Sequence, residues 1–186
     1  MNETIMAGVY TIPEVLTPEE CDACIAETEA SGYAAAPVTT ERGPKMMPDL
    51  RNNSRYMVDD PDRAARLWTR VSASVPPMFR GCQAIGLNER IRFYRYDVGE
   101  FFAPHIDGCY ESESGQRSHL TFMIYLNDDY EGGETAFRYS RIKPQRGMAL
   151  VFNHELLHEG APVKKGRKYV LRSDVMFDLP GRFTQK

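Results

Sequence analysis

His119 to Leu126 reads His-Leu-Thr-Phe-Met-Ile-Tyr-Leu, two residue sets interleaved at a period of two. Leu120, Phe122, Ile124 and Leu126 are uniformly apolar, whereas His119, Thr121, Met123 and Tyr125 are mixed and polar-tipped. Side chains alternate across a strand, so this pattern predicts a strand with two unlike faces. In a pair of packed sheets the apolar face lies under amphipathic helices and the mixed face lines the space between the sheets. Polar tips belong there only if that space holds a ligand. The opposite assignment of the two faces is the alternative.

On either side of this stretch the period stays at two. Ile91–Val98, Glu134–Arg138, Met148–Asn153 and Lys168–Phe177 are further strand candidates, separated by turn-forming runs at Glu131-Gly132-Gly133, Pro144–Gly147 and Gly160–Pro162. The first 80 residues read differently. Thr17-Pro18-Glu19-Glu20 is a capping box with proline at the first helical position and opens a helix to about Ser31, where Gly32 can end it. Asp60-Pro61 opens a second, whose Ala64, Ala65, Leu67, Trp68, Val71 and Val75 recur at helical spacing until Pro76-Pro77. The intervening Pro37–Arg55 reads as a long loop, and Cys109–Arg117 as a shorter one; both are candidate lids over a substrate.

Together these elements predict one domain over 1–186, mainly β with N-terminal helices. Helical support would occupy 1–85, and a double-stranded β-helix, or jelly roll, with helices packed on one sheet would occupy about 90–178. The composition fits a globular domain, with 42% hydrophobic and 26% charged residues. Twenty-three basic against 26 acidic side chains give a net charge of −3 and no basic block, so no nucleic-acid partner is expected. Nothing apolar is long enough to span a membrane. No secretory signal is visible, and four scattered cysteines suit a reducing compartment, so a cytoplasmic location is expected. Oligomeric state is left open.

His105 and Asp107 lie two apart in Phe102-Ala103-Pro104-His105-Ile106-Asp107-Gly108, and residues i and i+2 of an extended chain point to one side. His158, beyond another strand, can close a set of two imidazoles and one carboxylate. Such a facial triad suits non-haem Fe(II) and leaves positions open for co-substrate and dioxygen. Alone, His-x-Asp is weak, because histidines of this kind often serve only structure.

The surrounding sequence is more specific. Arg95–Asp107 (RYDVGEFFAPHID) resembles the metal-binding strand and turn of prolyl 4-hydroxylase-like, 2-oxoglutarate- and Fe(II)-dependent dioxygenases. Thr121–Asn127 with Glu131–Phe137, and Lys143–Phe152 with His158-Glu159-Gly160, resemble that family's next strands in the same order. The resemblance covers roughly Arg90 to Phe177. It implies that His105, Asp107 and His158 bind Fe(II), and that Lys168, ten positions beyond the distal histidine, anchors 2-oxoglutarate. Tyr125 and Tyr96 fall where the family places tyrosines near this co-substrate. Lys164, Lys165 and Arg167 crowd Lys168, so a solvated turn lysine is the alternative, and the family spacing favours the anchor.

Arg172 shares strand parity with Lys168. It is a second anchor, a contact for an acidic group on the prime substrate, or the partner of Asp174 in a structural ion pair. Implied cofactors are Fe(II), 2-oxoglutarate and dioxygen, with ascorbate as an optional addition. The implied reaction hydroxylates an unactivated C–H bond while 2-oxoglutarate is decarboxylated to succinate. A prolyl residue of a peptide or protein is the implied substrate, with a free amino acid or small metabolite as the alternative. Arg51, Asn53 and Arg55 in the first loop are candidate substrate contacts.

Two other patterns compete. His154-Glu155-Leu156-Leu157-His158 matches the zincin pattern of a zinc hydrolase, which needs both histidines on one helix face. A strand-like run precedes it and Gly160-Ala161-Pro162 follows, which argues against that helix and leaves His154 as a surface or gate residue. Cys21 and Cys24 fall on the first helix with no second pair, as packing cysteines do. A non-catalytic jelly-roll binding module is the remaining alternative.

Overall fold

The computed structural model describes residues 3–40 and 42–178. Helix α1, Pro18–Ser31, starts at the expected box: the Glu20 N–H donates to Thr17 Oγ1 at 3.3 Å, and the Thr17 N–H to Glu20 Oε2 at 2.9 Å. Gly32 ends it at a φ of 83°, and its N–H bonds the Thr28 carbonyl at 3.0 Å. Helix α2, Pro61–Val71, is capped by the Asp60 carboxylate on the Arg63 N–H at 2.8 Å.

Ala64, Leu67 and Val71 form the buried face of α2, in one cluster with Leu120, Phe122, Ile124 and Leu126. The apolar face of the decisive strand therefore lies under the helices. Burying a leucine such as Leu67 contributes about 1.5–3 kcal/mol.

Two antiparallel sheets make the jelly roll. The larger runs Glu3–Met6, Val9–Ile12, Ala149–Asn153, Arg117–Tyr125, Lys168–Phe177, Arg90–Tyr96, Ser54–Asp59, Ala34–Ala35, with Cys82–Leu87 added beside the end of Lys168–Phe177. The smaller runs Phe102–His105, His158–Gly160, Thr135–Phe137, Ser140–Ile142. Between them a second cluster gathers Tyr94, Tyr96, Tyr125, Phe137, Phe152 and Val170.

The N-terminal part is not only helical support. Residues 3–12 form a hairpin that joins the large sheet beside Ala149–Asn153, and Ser54–Asp59, expected mostly in or next to a loop, pairs with Arg90–Tyr96. Val9–Ile12 and Ser54–Asp59 take these partners from segments 31 to 143 residues away, which local periodicity does not report. Within the expected loop, Val38–Thr40 and Gly43–Lys45 form a small hairpin.

One residue of the decisive strand departs from strict alternation. The pairing with Lys168–Phe177 is irregular between Ser118 and Leu120, and His119 packs on Phe79 and Phe177, with ring centroids 5.7 and 5.5 Å away. An irregularity of that kind shifts side-chain direction locally, so His119 leaves the face shared by Thr121, Met123 and Tyr125.

Candidate active site

His105 ends one strand of the small sheet and His158 opens its neighbour, and the two are paired directly in register. Asp107 follows two residues later, its N–H held by the His154 carbonyl at 2.9 Å. Main-chain pairing thus brings together residues 53 positions apart. One ligand atom from each of His105, Asp107 and His158 lies within 4.8 Å of the others.

The rings are oriented before any ion arrives. His105 Nδ1 is 2.8 Å from the Ala103 carbonyl, and His158 Nδ1 is 2.9 Å from that of Leu156. A carbonyl can only accept, so each Nδ1 carries the proton and each Nε2 keeps its lone pair. Those Nε2 atoms face the Asp107 oxygens at 3.7 and 3.6 Å. His105 Nε2 is buried with no hydrogen-bond partner. Burial pushes the His158 imidazole down to about 4, against the opposing pull of Asp107, so it is neutral at physiological pH.

Asp107 is fixed from two sides. Thr121 Oγ1 donates to Oδ2 at 2.5 Å, and Arg172 Nη1 lies 2.9 Å from Oδ1. Burial alone raises a carboxyl, but Arg172, the histidines and Thr121 outweigh it and hold Asp107 well below the usual range. A buried, ionised carboxylate beside two lone pairs, one of them orphaned, fits a divalent cation.

From the triad a narrow cavity runs between the sheets to Lys168, lined among others by Tyr94, Tyr96, Phe102, Thr121 and Met123. Lys168 is 2% exposed, which disposes of the solvated-turn reading. Its Nζ donates to the Gly133 carbonyl at 2.6 Å and stands 5.1 Å from the Tyr96 ring and 5.6 Å from the Tyr125 ring. Among the described residues no carboxylate pairs with it, and burial lowers its pKa to about 8 despite the field of Glu134. A buried ammonium without a counter-ion is expensive, so this end of the cavity suits an anion.

Gly132, at a φ of 77°, makes the arrangement possible, because a Cβ there would sit 2.4 Å from the Pro162 carbonyl oxygen. Tyr125, fully buried, donates its hydroxyl to Thr135 Oγ1 at 2.7 Å and offers Lys168 its ring.

Arg172 lies at the triad end, 2.9 Å from Asp107 and 3.4 Å from Asp174, so of the readings left open the ion pair with Asp174 forms, together with a contact to the triad. His154 is not a surface residue. It is 4% exposed and 3.5 Å from Asp174, because the turn after Ala149–Asn153 folds it back under the sheet. Residues 154–158 form a turn and a strand instead of a helix, and Glu155 pairs with Arg80 at 2.6 Å, so the zincin geometry is absent.

Both expected lid loops border an outer cleft of about 400 Å3 over the triad, through Leu50 and Arg51 on one side and Cys109 and Tyr110 on the other. Two site residues escaped the sequence reading. Tyr94 lines both cavities, and its parity with Tyr96 on one strand was the available signal. Thr121 was placed on the interior face without its bond to Asp107 being foreseen.

Residues 91–173 match the family described as the 2OG-Fe(II) oxygenase superfamily. A PKHD-type hydroxylase of Paraburkholderia phymatum is 27% identical over 93% of this chain and 86% of its own. Prolyl 4-hydroxylase 1 of Arabidopsis thaliana is 23% identical over 87% of this chain and 66% of its own. A prolyl hydroxylase from Trichoplax adhaerens, solved with a hypoxia inducible factor peptide fragment, superposes with a TM-score of 0.68. It is 15% identical over 96% of this chain and 88% of that one, a likeness of fold. The matched stretch, less than half of the chain, carries the His-Asp-His cluster and the buried lysine; over it the chain is similar to the 2OG-Fe(II) oxygenase superfamily, and the cluster fits the Fe(II) of a dioxygenase that uses 2-oxoglutarate and dioxygen.

Proposed function

We propose that this dioxygenase hydroxylates a prolyl residue of a peptide or protein, with His105, Asp107 and His158 as the iron ligands. Lys168, assisted by Tyr125 and Tyr96, is the co-substrate anchor in this reading. The observation that carries it is a preorganised ligand set joined by one cavity to a buried ammonium that lacks a counter-ion. The peptide assignment draws on the relatives named prolyl 4-hydroxylase and on the open outer cleft, which leaves room for a chain to pass.

Iron and 2-oxoglutarate, when bound, supply the oxidative chemistry: dioxygen is consumed, 2-oxoglutarate loses carbon dioxide to give succinate, and a substrate C–H bond is hydroxylated. The chain's own residues set the geometry. Ala103 and Leu156 carbonyls hold both imidazoles in the ligating tautomer. Thr121 and Arg172 keep Asp107 ionised and fix its rotamer. Lys168 orients a carboxylate at the closed end by a charge-assisted bond, and the Tyr96 and Tyr125 rings exclude water around it. N-terminal strands share the large sheet with the site's own strands, which supports reading the chain as one catalytic unit.

The test is anaerobic titration of the metal-free protein with Fe(II) and 2-oxoglutarate, followed through the weak visible charge-transfer band. Mass analysis of proline-containing peptides then reads the product. The reading requires a band in the parent, none in Asp107→Ala, a far higher 2-oxoglutarate requirement in Lys168→Ala, and a gain of one oxygen on proline. A band without oxidised proline would remove the substrate and leave the cofactor sites.

A further inference from the structure

Five arginines, Arg51, Arg55, Arg90, Arg92 and Arg172, line the outer cleft above His105 and Asp107. Three are matched by acids: Arg90 by Asp59 at 2.8 Å, Arg92 by Asp174 at 2.9 Å, and Arg172 by Asp107 at 2.9 Å. Arg51 and Arg55 have no carboxylate within ion-pair distance among the described residues. The cleft therefore carries two guanidinium charges in excess.

Arg51 is built in rather than loosely placed. It is 5% exposed, its Nε donates to Oδ1 of the fully buried Asn53 at 2.7 Å, and its guanidinium carbon lies 4.5 Å from the Tyr94 ring and 4.5 Å from the Phe102 ring. Its Nη2 is buried and bonded to nothing. Leaving a charged donor unbonded in a fixed, desolvated position is costly unless a ligand fills it. Arg55 stands nearby, opposite Tyr94 in the strand pairing. Burial would raise the Tyr94 phenol, yet the fields of Arg51, Arg172 and Arg92 draw it down to about 8, as the same guanidiniums require. The Phe102 ring that Arg51 stacks on also stacks on His105, at 3.5 Å between centroids. One aromatic ring thus separates the free guanidinium from a metal-ligand imidazole.

We propose that the prime substrate carries a carboxylate that Arg51 and Arg55 receive beside the triad, so that the enzyme selects an acidic residue next to the oxidised one. This rests on the prolyl reading for the identity of the oxidised residue and on the arginine geometry alone for the acid. A guanidinium fork binds a carboxylate in two parallel bonds, and the span from the Arg51 guanidinium across the Phe102 ring to the His105 imidazole corresponds to about two residues of extended peptide. An acidic side chain in a peptide and the carboxylate of a free amino acid share this chemistry.

The test measures binding to the protein loaded with Zn(II) and 2-oxoglutarate, which cannot turn over. Its probes are nine-residue peptides with one proline flanked by Glu, Gln or Lys, a proline-free Glu peptide, free L-proline and free L-glutamate. The Glu peptides should bind at least about tenfold tighter than the Gln peptides, and the gap should narrow in 0.5 M salt, where screening is short-ranged. Arg55→Gln and Arg51→Met should each erode the gap. Arg51 is buried, so a melting curve accompanies each variant, and Arg55→Gln decides if Arg51→Met fails to fold.

Glu and Gln peptides that both bind and bind equally, a gap untouched by Arg55→Gln, or no binding by any probe overturns the acidic cleft. Arg55-dependent binding confined to the free amino acids keeps it and assigns a small-molecule source. With Fe(II) in place of zinc, oxidation of proline at equal rates in Gln and Glu peptides would sink this proposal and spare the prolyl reading. A preference for Glu with oxygen added elsewhere than on proline would do the reverse.

Discussion

The two cavities that meet at the triad solve the problem of positive charge in different ways. The inner one holds a single ammonium, Lys168, 2% exposed and walled by the Tyr96 and Tyr125 rings. The outer one gathers five guanidiniums, three of them tied to acids. In the proposed reading the inner site receives one dianion, which needs one fixed charge in a dry cavity, where Coulombic attraction is strong. The outer site in that reading orients a variable chain, for which planar, directional donors serve, and pairing most of them fixes their geometry. Between them lies Asp107, which Thr121 and Arg172 hold in place from either side.

The largest effect expected is at the junction. Asp107→Asn should lower metal affinity by more than about 100-fold, beyond the usual range for outer-sphere partners, and abolish succinate formation. Iron binding followed by the charge-transfer band checks this, and an intact band would mean that the metal is held without Asp107 and that the two cavities meet elsewhere.

At the inner end, Lys168→Ala should raise the 2-oxoglutarate concentration for half-saturation about 100-fold or more, the scale of losing one partner of a buried ion pair. Iron affinity without co-substrate should hardly change. If both fall together, Lys168 supports the fold instead of the anion.

Thr121→Val is milder. It removes one bond from Asp107 while conserving shape, and metal affinity should fall about tenfold, at the low end for an outer-sphere hydrogen bond. Isothermal titration with Mn(II) in place of iron would read it.

The smallest effect is a pH dependence. Burial holds Lys168 at about 8, so its charge is present below that pH and is lost as pH rises through it. Affinity for 2-oxoglutarate should therefore be flat below pH 7 and weaken up to about tenfold by pH 9, through proton linkage. Lys168→Arg, always charged, should flatten that profile; a slope that survives in the variant would place the titrating group elsewhere.

Much of this was legible beforehand. The apolar set of Leu120, Phe122, Ile124 and Leu126 does pack under α2, and Thr17-Pro18-Glu19-Glu20 does open a helix, because both depend on local spacing alone. His105 and Asp107 were visible as an i, i+2 pair, and Lys168 by its position after His158. The strand Ser54–Asp59 and the hairpin within residues 3–12 were not, since an edge or half-exposed strand shows no period that sets it apart from a loop. The burial of His154 is not legible for another reason: only the turn's path decides whether a histidine after a strand meets water or Asp174.

By itself the sequence determined the elements whose stability is local: two capped helices, the alternation of the central strands, and the order of the chemical groups along them. Tertiary structure alone decided that His105 and His158 face each other across a strand pair, that Lys168 is dry, and that Arg51 is held between Tyr94 and Phe102 with a donor to spare. Capping and alternation act over a few residues, whereas desolvation and charge pairing depend on which distant segments pack together. The inner anchor and the acidic preference proposed for the outer cleft both arise from that second kind of interaction.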